Sequence, residues 1–193
     1  LMLAARNNNS KVVAVLIEAG ADLEAKDQGP DFGQTPLIHA VRRYPSDPEV
    51  VFTLLMAGAS AIEAEDNGEN KLRDQSPLHY AVAEASLEVV ELLIEAGASI
   101  EFAPPGTNAS PRTPLMDVAV MGGKPGRQAG AVAAAIISLL LEEGAELEQR
   151  NEVGHYVAGW YADYTPLMWS VINIWDNLEI VLTFIEAGAN LEA

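Results

Sequence analysis

The chain has no cysteine, which excludes disulfide frameworks, thiolate nucleophiles and thiolate metal sites together. It has three histidines, His39, His79 and His155. None has a serine or a second histidine at a useful spacing, so a catalytic triad or a zinc site would need distant partners. Positive charge is also scarce. With 28 acidic and 11 basic residues the formal net charge is -17, a balance that repels phosphate backbones and anionic membranes alike. Nucleic acid is therefore not an expected partner. Long apolar runs are missing too: 49% of residues are hydrophobic, enough to build a core, yet the longest candidate, Ala131 to Leu141, falls short of the roughly 18 to 20 residues a membrane helix needs. Membrane insertion is not expected. This composition suits cytosol, periplasm or secretion, with the cytoplasm preferred. Gly122-Gly123-Lys124 lacks a preceding strand and a following Ser or Thr, so it reads as a flexible insert rather than a phosphate loop.

What is present is one phrase written about five times. Thr/Ser-Pro-Leu starts stand as TPLIHA at 35–40, SPLHYA at 76–81, TPLMDV at 113–118 and TPLMWS at 165–170, with LMLAA at 1–5 as a truncated first start. Gly-Ala endings follow at Gly20, Gly58, Gly97, Gly144 and Gly188. A period of this size fixes the architecture before any single site is considered. The first copy begins partway through, so the chain reads as a slice of something longer.

Each copy predicts two helices. Thr or Ser followed by Pro is a helix start, because the hydroxyl can cap free N–H groups and proline at the first helical position loses nothing. Asn9-Ser10, Ser46-Asp47-Pro48, Ser86 and Asp176-Asn177 offer caps for the second helix. That helix carries apolar residues at helical spacing, as Val89, Val90, Leu92, Leu93 and Ala96, with Val12, Val13, Val15, Leu16 and Ala19 in the same places. The glycine that follows sits where a helix ends in a left-handed residue.

These residues resemble the ankyrin repeat, whose usual pattern is G-x-T-P-L-H-x-A-A and then a second helix ending in G-A-D. The resemblance covers essentially the whole chain. It implies an all-α solenoid of stacked helix-turn-helix units joined by extended hairpin fingers, organised as one domain over 1–193. The copies fall at 1–28 (partial), 29–68, 69–106, 107–157 and 158–193. Departures are specific. The family histidine survives only as His79, with Met2, Ile38, Met116 and Met168 elsewhere. The glycine two residues before Thr-Pro is kept only as Gly33; Asp74, Pro111 and Asp163 replace it, and altered finger turns are expected there. Successive starts are 41, 37 and 52 residues apart, against a family period of about 33. The excess lies in MGGKPGRQAG at 121–130, placed between the helices of the fourth copy, and in QRNEVGHYVAGWYADY at 149–164, which lengthens the last finger.

The candidate chemistry is thin. His79 is expected to be structural, His39 to sit on a first helix beside the core, and His155 to be a loop histidine near Glu152, Tyr156 and Asp163. Glu63, Glu65, Asn67, Gly68 and Asp74 imitate the spacing of a calcium loop. Glutamates stand where aspartates are usual, however, and the repeat frame makes this segment a finger. No metal, cofactor or catalytic group is expected.

Charge and aromatics carry more. Acids recur at the end of second helices and just beyond, while basic residues gather at first-helix ends and in fingers, as Arg42, Arg43, Lys71, Arg73 and Arg112. The ankyrin resemblance implies that this second location is the concave face where partners bind; the plain alternative is that the charges only solvate an acidic array. Val120, Met121 and Ile172 put apolar side chains where the family is exposed, and Tyr156, Trp160, Tyr161 and Tyr164 belong to the last finger. Such residues suit an interface anchor, or pack locally to order a long finger. The expected partner-binding set is thus Arg42, Arg43, Arg73, Val120, Met121, Tyr156, Trp160, Tyr161, Tyr164 and Ile172. The expected function is a non-enzymatic module that binds another protein. The alternative is an architectural spacer, or part of a longer array attached to another domain, since Leu1 and Leu3 at one edge and Val181, Phe184 and Ile185 at the other lack a polar cap.

Overall fold

The computed structural model describes residues 1–27, 33–61, 75–103, 111–121, 129–151, 163–172 and 178–192, without the side chains of Met121 and Ala129. Among these residues there are ten helices and no strand. They form two compact units, Leu1–Ser99 and Ile100–Ala193. The first holds α1 (Met2–Arg6), α2 (Ser10–Glu18), α3 (Pro36–Val41), α4 (Pro48–Met56), α5 (Pro77–Ala83) and α6 (Leu87–Glu95). The second holds α7 (Pro114–Met121), α8 (Ala129–Glu142), α9 (Pro166–Ile172) and α10 (Leu178–Glu186). Within each unit the two helices of a copy pack on each other, first helices pack on first helices, and second helices pack on second helices.

The expected caps form at every Thr/Ser-Pro start. Thr35, Ser76, Thr113 and Thr165 accept hydrogen bonds from the backbone N–H of Ile38, His79, Met116 and Met168. All four hydroxyls are buried, so the cap removes a donor that water could not reach. Second-helix caps are less uniform. Asn9 and Asp47 accept from Val12 and Glu49 N–H, but Ser86 makes no side-chain cap, and Asp176-Asn177 lies outside the described residues. All five Gly-Ala endings are left-handed, with φ between 81° and 98°. The alanine N–H after each glycine reaches back to the carbonyl of Leu16, Leu54, Leu93, Leu140 or Phe184 at 2.8–3.0 Å. This closes the last turn and satisfies carbonyls that a bare helix end leaves free.

The core repeats with the phrase. The residue eight before each glycine is wholly buried as Val50, Val89, Ile136 and Ile180, whereas Val12 in that place is 43% exposed. Val15 is exposed as well, so the apolar face expected of the first copy is only half covered. The expected buried face of α6 narrows to Val89, Val90 and Leu93, while Leu92 is half-buried and Ala96 exposed. Phe184 is buried, so it does not belong to the uncapped edge with Val181 and Ile185. The fourth copy departs from the expected loop at 121–130: α7 continues to Met121 and α8 starts at Ala129, giving α8 14 residues where the other second helices have 9. Residues 122–128 lie outside the described set.

Two finger bases share one geometry despite their different sequences. In the first finger, Asp27 Oδ1 accepts from Gln34 N–H at 3.1 Å, Asp27 N–H donates to Gln34 O, and Gly33 N–H donates to Asp27 O. In the last, Asn151 Oδ1 accepts from Tyr164 N–H at 2.8 Å, Asn151 N–H donates to Tyr164 O, and Asp163 N–H donates to Asn151 O. Gly33 has φ 84° and Asp163 φ 67°. The turn expected to be altered at Asp163 is therefore kept, because aspartate tolerates the left-handed region better than most side chains do.

Candidate functional site

Arg42 is the C-cap residue of α3 and Arg43 follows it, while Arg6 closes α1 of the preceding copy. First helices of adjacent copies lie side by side, so their ends converge. Arg6, Asn7, His39, Arg42 and Arg43 line one polar pocket of about 370 Å³. Its walls are fixed by specific bonds. Arg42 Nη1 donates to Gln34 Oε1 at 2.6 Å, and the guanidinium lies 5.2 Å over the Tyr80 ring, an attractive placement of a cation on a π face. His39 Nε2 is 2.9 Å from Asp27 Oδ2, which ties the histidine to the finger base. Asn8 Nδ2 donates to Pro45 O at 3.0 Å, joining the loops that follow the two first helices. Arg6 and Arg43 are exposed, and among the described residues neither has a carboxylate within salt-bridge distance.

The second unit places its sequence-selected residues differently. Tyr164 and Ile172 come together in an apolar groove of about 450 Å³ formed by α9, α10 and the turn after α10, with Val171, Val181 and Ile185 among its walls. Tyr164 also packs edge-on against Trp169, ring centres 5.7 Å apart. Trp169 in turn carries the Arg112 guanidinium at 5.2 Å, and Arg112 Nε donates to the buried Asp117 carboxylate at 2.6 Å. Tyr164 is thus at once a groove wall and part of local packing. Arg112, one of the basic residues expected on the binding side, is occupied by Asp117 and Trp169. Val120 is half-buried near the end of α7 and is not part of the groove. Arg73, Tyr156, Trp160, Tyr161, His155 and the calcium-like segment lie outside the described residues, as does the Met121 side chain.

The sequence alone does not single out Arg6 or Asn7, and it places His39 on a first helix beside the core without pointing to the pocket. Arg6 lies in the truncated first copy, where no Thr-Pro start marks the frame. Its equivalence to the Arg42 region emerges only when α1 is set beside α3. His79 is buried, with Nδ1 2.7 Å from Ser76 Oγ. Contrary to the expectation that no histidine has a serine at a useful spacing, this one does, but the same hydroxyl caps α5, in keeping with the structural role expected of His79. Among the described residues no group of three His, Asp or Glu is placed to hold a metal ion, and no helix is long and apolar enough to cross a membrane.

Comparison with known proteins agrees with this geometry. A family model described as ankyrin repeats, in three copies, matches residues 1–104, more than half of the chain. The chain belongs to the ankyrin-repeat family. Its ankyrin repeats are also similar to a Danio rerio protein named "Putative palmitoyltransferase ZDHHC13", 34% identical over 102 residues. That match covers 53% of this chain and 14% of the relative. The all-α repeat fold and the Gly-Ala helix ends are those of the ankyrin family, and protein binding is the family's general use.

Proposed function

We propose that the chain is a non-enzymatic protein-interaction module, one ankyrin domain over 1–193, which binds a partner protein through first helices and the adjoining fingers. The observation that carries this reading is the gathering of Arg6, Arg42 and Arg43 around one pocket in a chain with 11 basic residues in all. Cations that solvated the array generally would be spread out; these are brought together by the packing of α1 on α3. Repeats present such a surface preformed, so little ordering entropy opposes binding. Affinity capture from native lysate, set against an Arg42→Ala/Arg43→Ala variant with an unchanged circular dichroism melt, tests it. A partner held by the wild type and lost by the variant is the expected result. Capture of nothing above an unrelated ankyrin control would remove the reading, and a partner indifferent to both arginines would move the contact off the second copy.

A second reading has its own support: repeats within a larger protein that also carries another functional domain. The matched repeats make up 14% of the relative, whose name assigns it a palmitoyl-transferring activity. In this reading the exposed Leu3, Val12 and Val15 at one edge and the groove beside α10 stack on further repeats. The sequence of the whole gene tests it directly, by the presence or absence of such a domain. Cytoplasmic residence is our preferred placement for either reading.

A further inference from the structure

We propose that the pocket between the ends of α1 and α3 is a receptor for a short acidic peptide segment bearing at least two carboxylates. The inference rests on the protein-binding reading and names the chemistry of the partner. Guanidinium groups present planar forks of N–H donors that match carboxylates two bonds at a time. Arg6 and Arg43 are exposed and have no carboxylate partner among the described residues, so each has donors to offer. Arg42 is held from behind by Gln34 and Tyr80. A fixed cation of this kind loses less side-chain freedom on binding than a mobile one.

Size and charge narrow the ligand. A space of about 370 Å³ is far more than one phosphate or one carboxylate fills, and its three arginines come from two copies. A segment with several carboxylates engages both copies; a single oxyanion does not. The Asp27 carboxylate is already engaged by His39, and among the described residues that line the pocket none carries a carboxylate. The chain's net charge of -17 repels any polyanion from a distance, but at physiological salt that repulsion is screened beyond about 8 Å. Contacts inside the pocket then decide binding.

Fluorescence anisotropy on the whole chain provides the test, with a labelled peptide of alternating aspartate and serine, its asparagine counterpart, and inorganic phosphate as competitor. The aspartate peptide is expected to bind at least tenfold more tightly than the asparagine peptide. Arg6→Glu/Arg43→Glu should weaken it at least tenfold with an unchanged melt, whereas Lys11→Glu, an exposed charge reversal outside the pocket, should not. Arg43→Gln, a milder change, should give an intermediate loss and serves if the double reversal fails to fold. Equal binding of both peptides, indifference to Arg6 and Arg43, or displacement of the peptide by equimolar phosphate would overturn the proposal. If a lysate partner still depends on Arg42 and Arg43 while the aspartate peptide does not bind, the ligand class falls and the interaction module stands. If no partner is captured, the wider reading falls.

Discussion

The Glu24 carboxylate of the first finger accepts a hydrogen bond from the backbone N–H of Ser60 at 2.8 Å, reaching from one copy to the loop that ends the next. The same bond recurs twice: Glu101 Oε1 accepts from Glu146 N–H and Glu148 Oε1 from Asn190 N–H, each at 2.7 Å. Each acid stands four residues after its own glycine, and each donor two residues after the next one. Part of the chain's negative charge is therefore structural, a set of staples between neighbouring copies.

The staples should be measurable one at a time. Glu148→Ala removes a charged acceptor from an exposed backbone N–H, and is expected to cost about 1 kcal/mol. Glu148→Gln keeps an acceptor and should cost less. Urea denaturation compares the two; equal losses would mean that the hydrogen bond is not what Glu148 contributes.

Glu101 has a pH signature of its own. Partial burial pushes its carboxyl above the usual range, the Glu146 N–H it accepts pulls it partly back, and the Glu146 carboxylate adds repulsion. With its amide nitrogen facing them, Gln149 donates to both acids, at 3.2 Å to Glu101 and 3.1 Å to Glu146. A carboxyl with a raised folded pKa favours the folded state when protonated. Its contribution is complete below the ordinary carboxylate pKa and is lost as pH rises through the folded value. Glu101→Gln cannot titrate, so its stability should improve relative to wild type as pH rises across that window, whatever constant offset the amide brings. Denaturation curves at several pH values check this, and a difference that does not vary with pH would refute it.

Arg112 neutralises a carboxylate with little access to water. Asp117 is 1% exposed, so Arg112→Ala takes the guanidinium at 2.6 Å away from a buried carboxylate and also removes it from the Trp169 ring. A loss of about 3 kcal/mol is expected. A double-mutant cycle with Asp117→Asn should recover part of it; additive losses would show that the pair is not coupled.

Backbone conformation makes two opposite predictions. Gly97 has φ 88°, and a Cβ added there meets nothing within 4 Å. Gly97→Ala should therefore destabilise by about 1 kcal/mol through the backbone alone. Ala85 lies between α5 and α6 at φ 54°, where an L-residue is strained, so Ala85→Gly should stabilise by up to about 1 kcal/mol after the entropy glycine brings to the unfolded chain. Thermal melts of the two variants should move in opposite directions.

The repeat frame was legible because its determinants are local: a hydroxyl before proline, paired apolar residues and a glycine each act within one or two turns. Arg42 and Arg43 could be singled out because they stand out in an acidic chain. Arg6 could not, since its nearness to them depends on α1 packing against α3. Asp163 misled for a different reason. Sequence shows that glycine is gone, but whether the turn survives depends on Asn151 pairing with Tyr164 across the finger base. Ser86 has the right chemistry for a cap and still makes none, so residue type alone does not decide whether a cap forms.

The shared finger base has a consequence for how such chains change length. Six positions separate Asp27 from Gly33 and twelve separate Asn151 from Asp163, yet both ends are tied by the same three bonds. Doubling a loop between fixed ends costs only about 0.6 kcal/mol of closure entropy. The last finger is in effect a socket: new sequence can be spliced between Asn151 and Asp163, by evolution or by an engineer, while the helices beneath keep their seating.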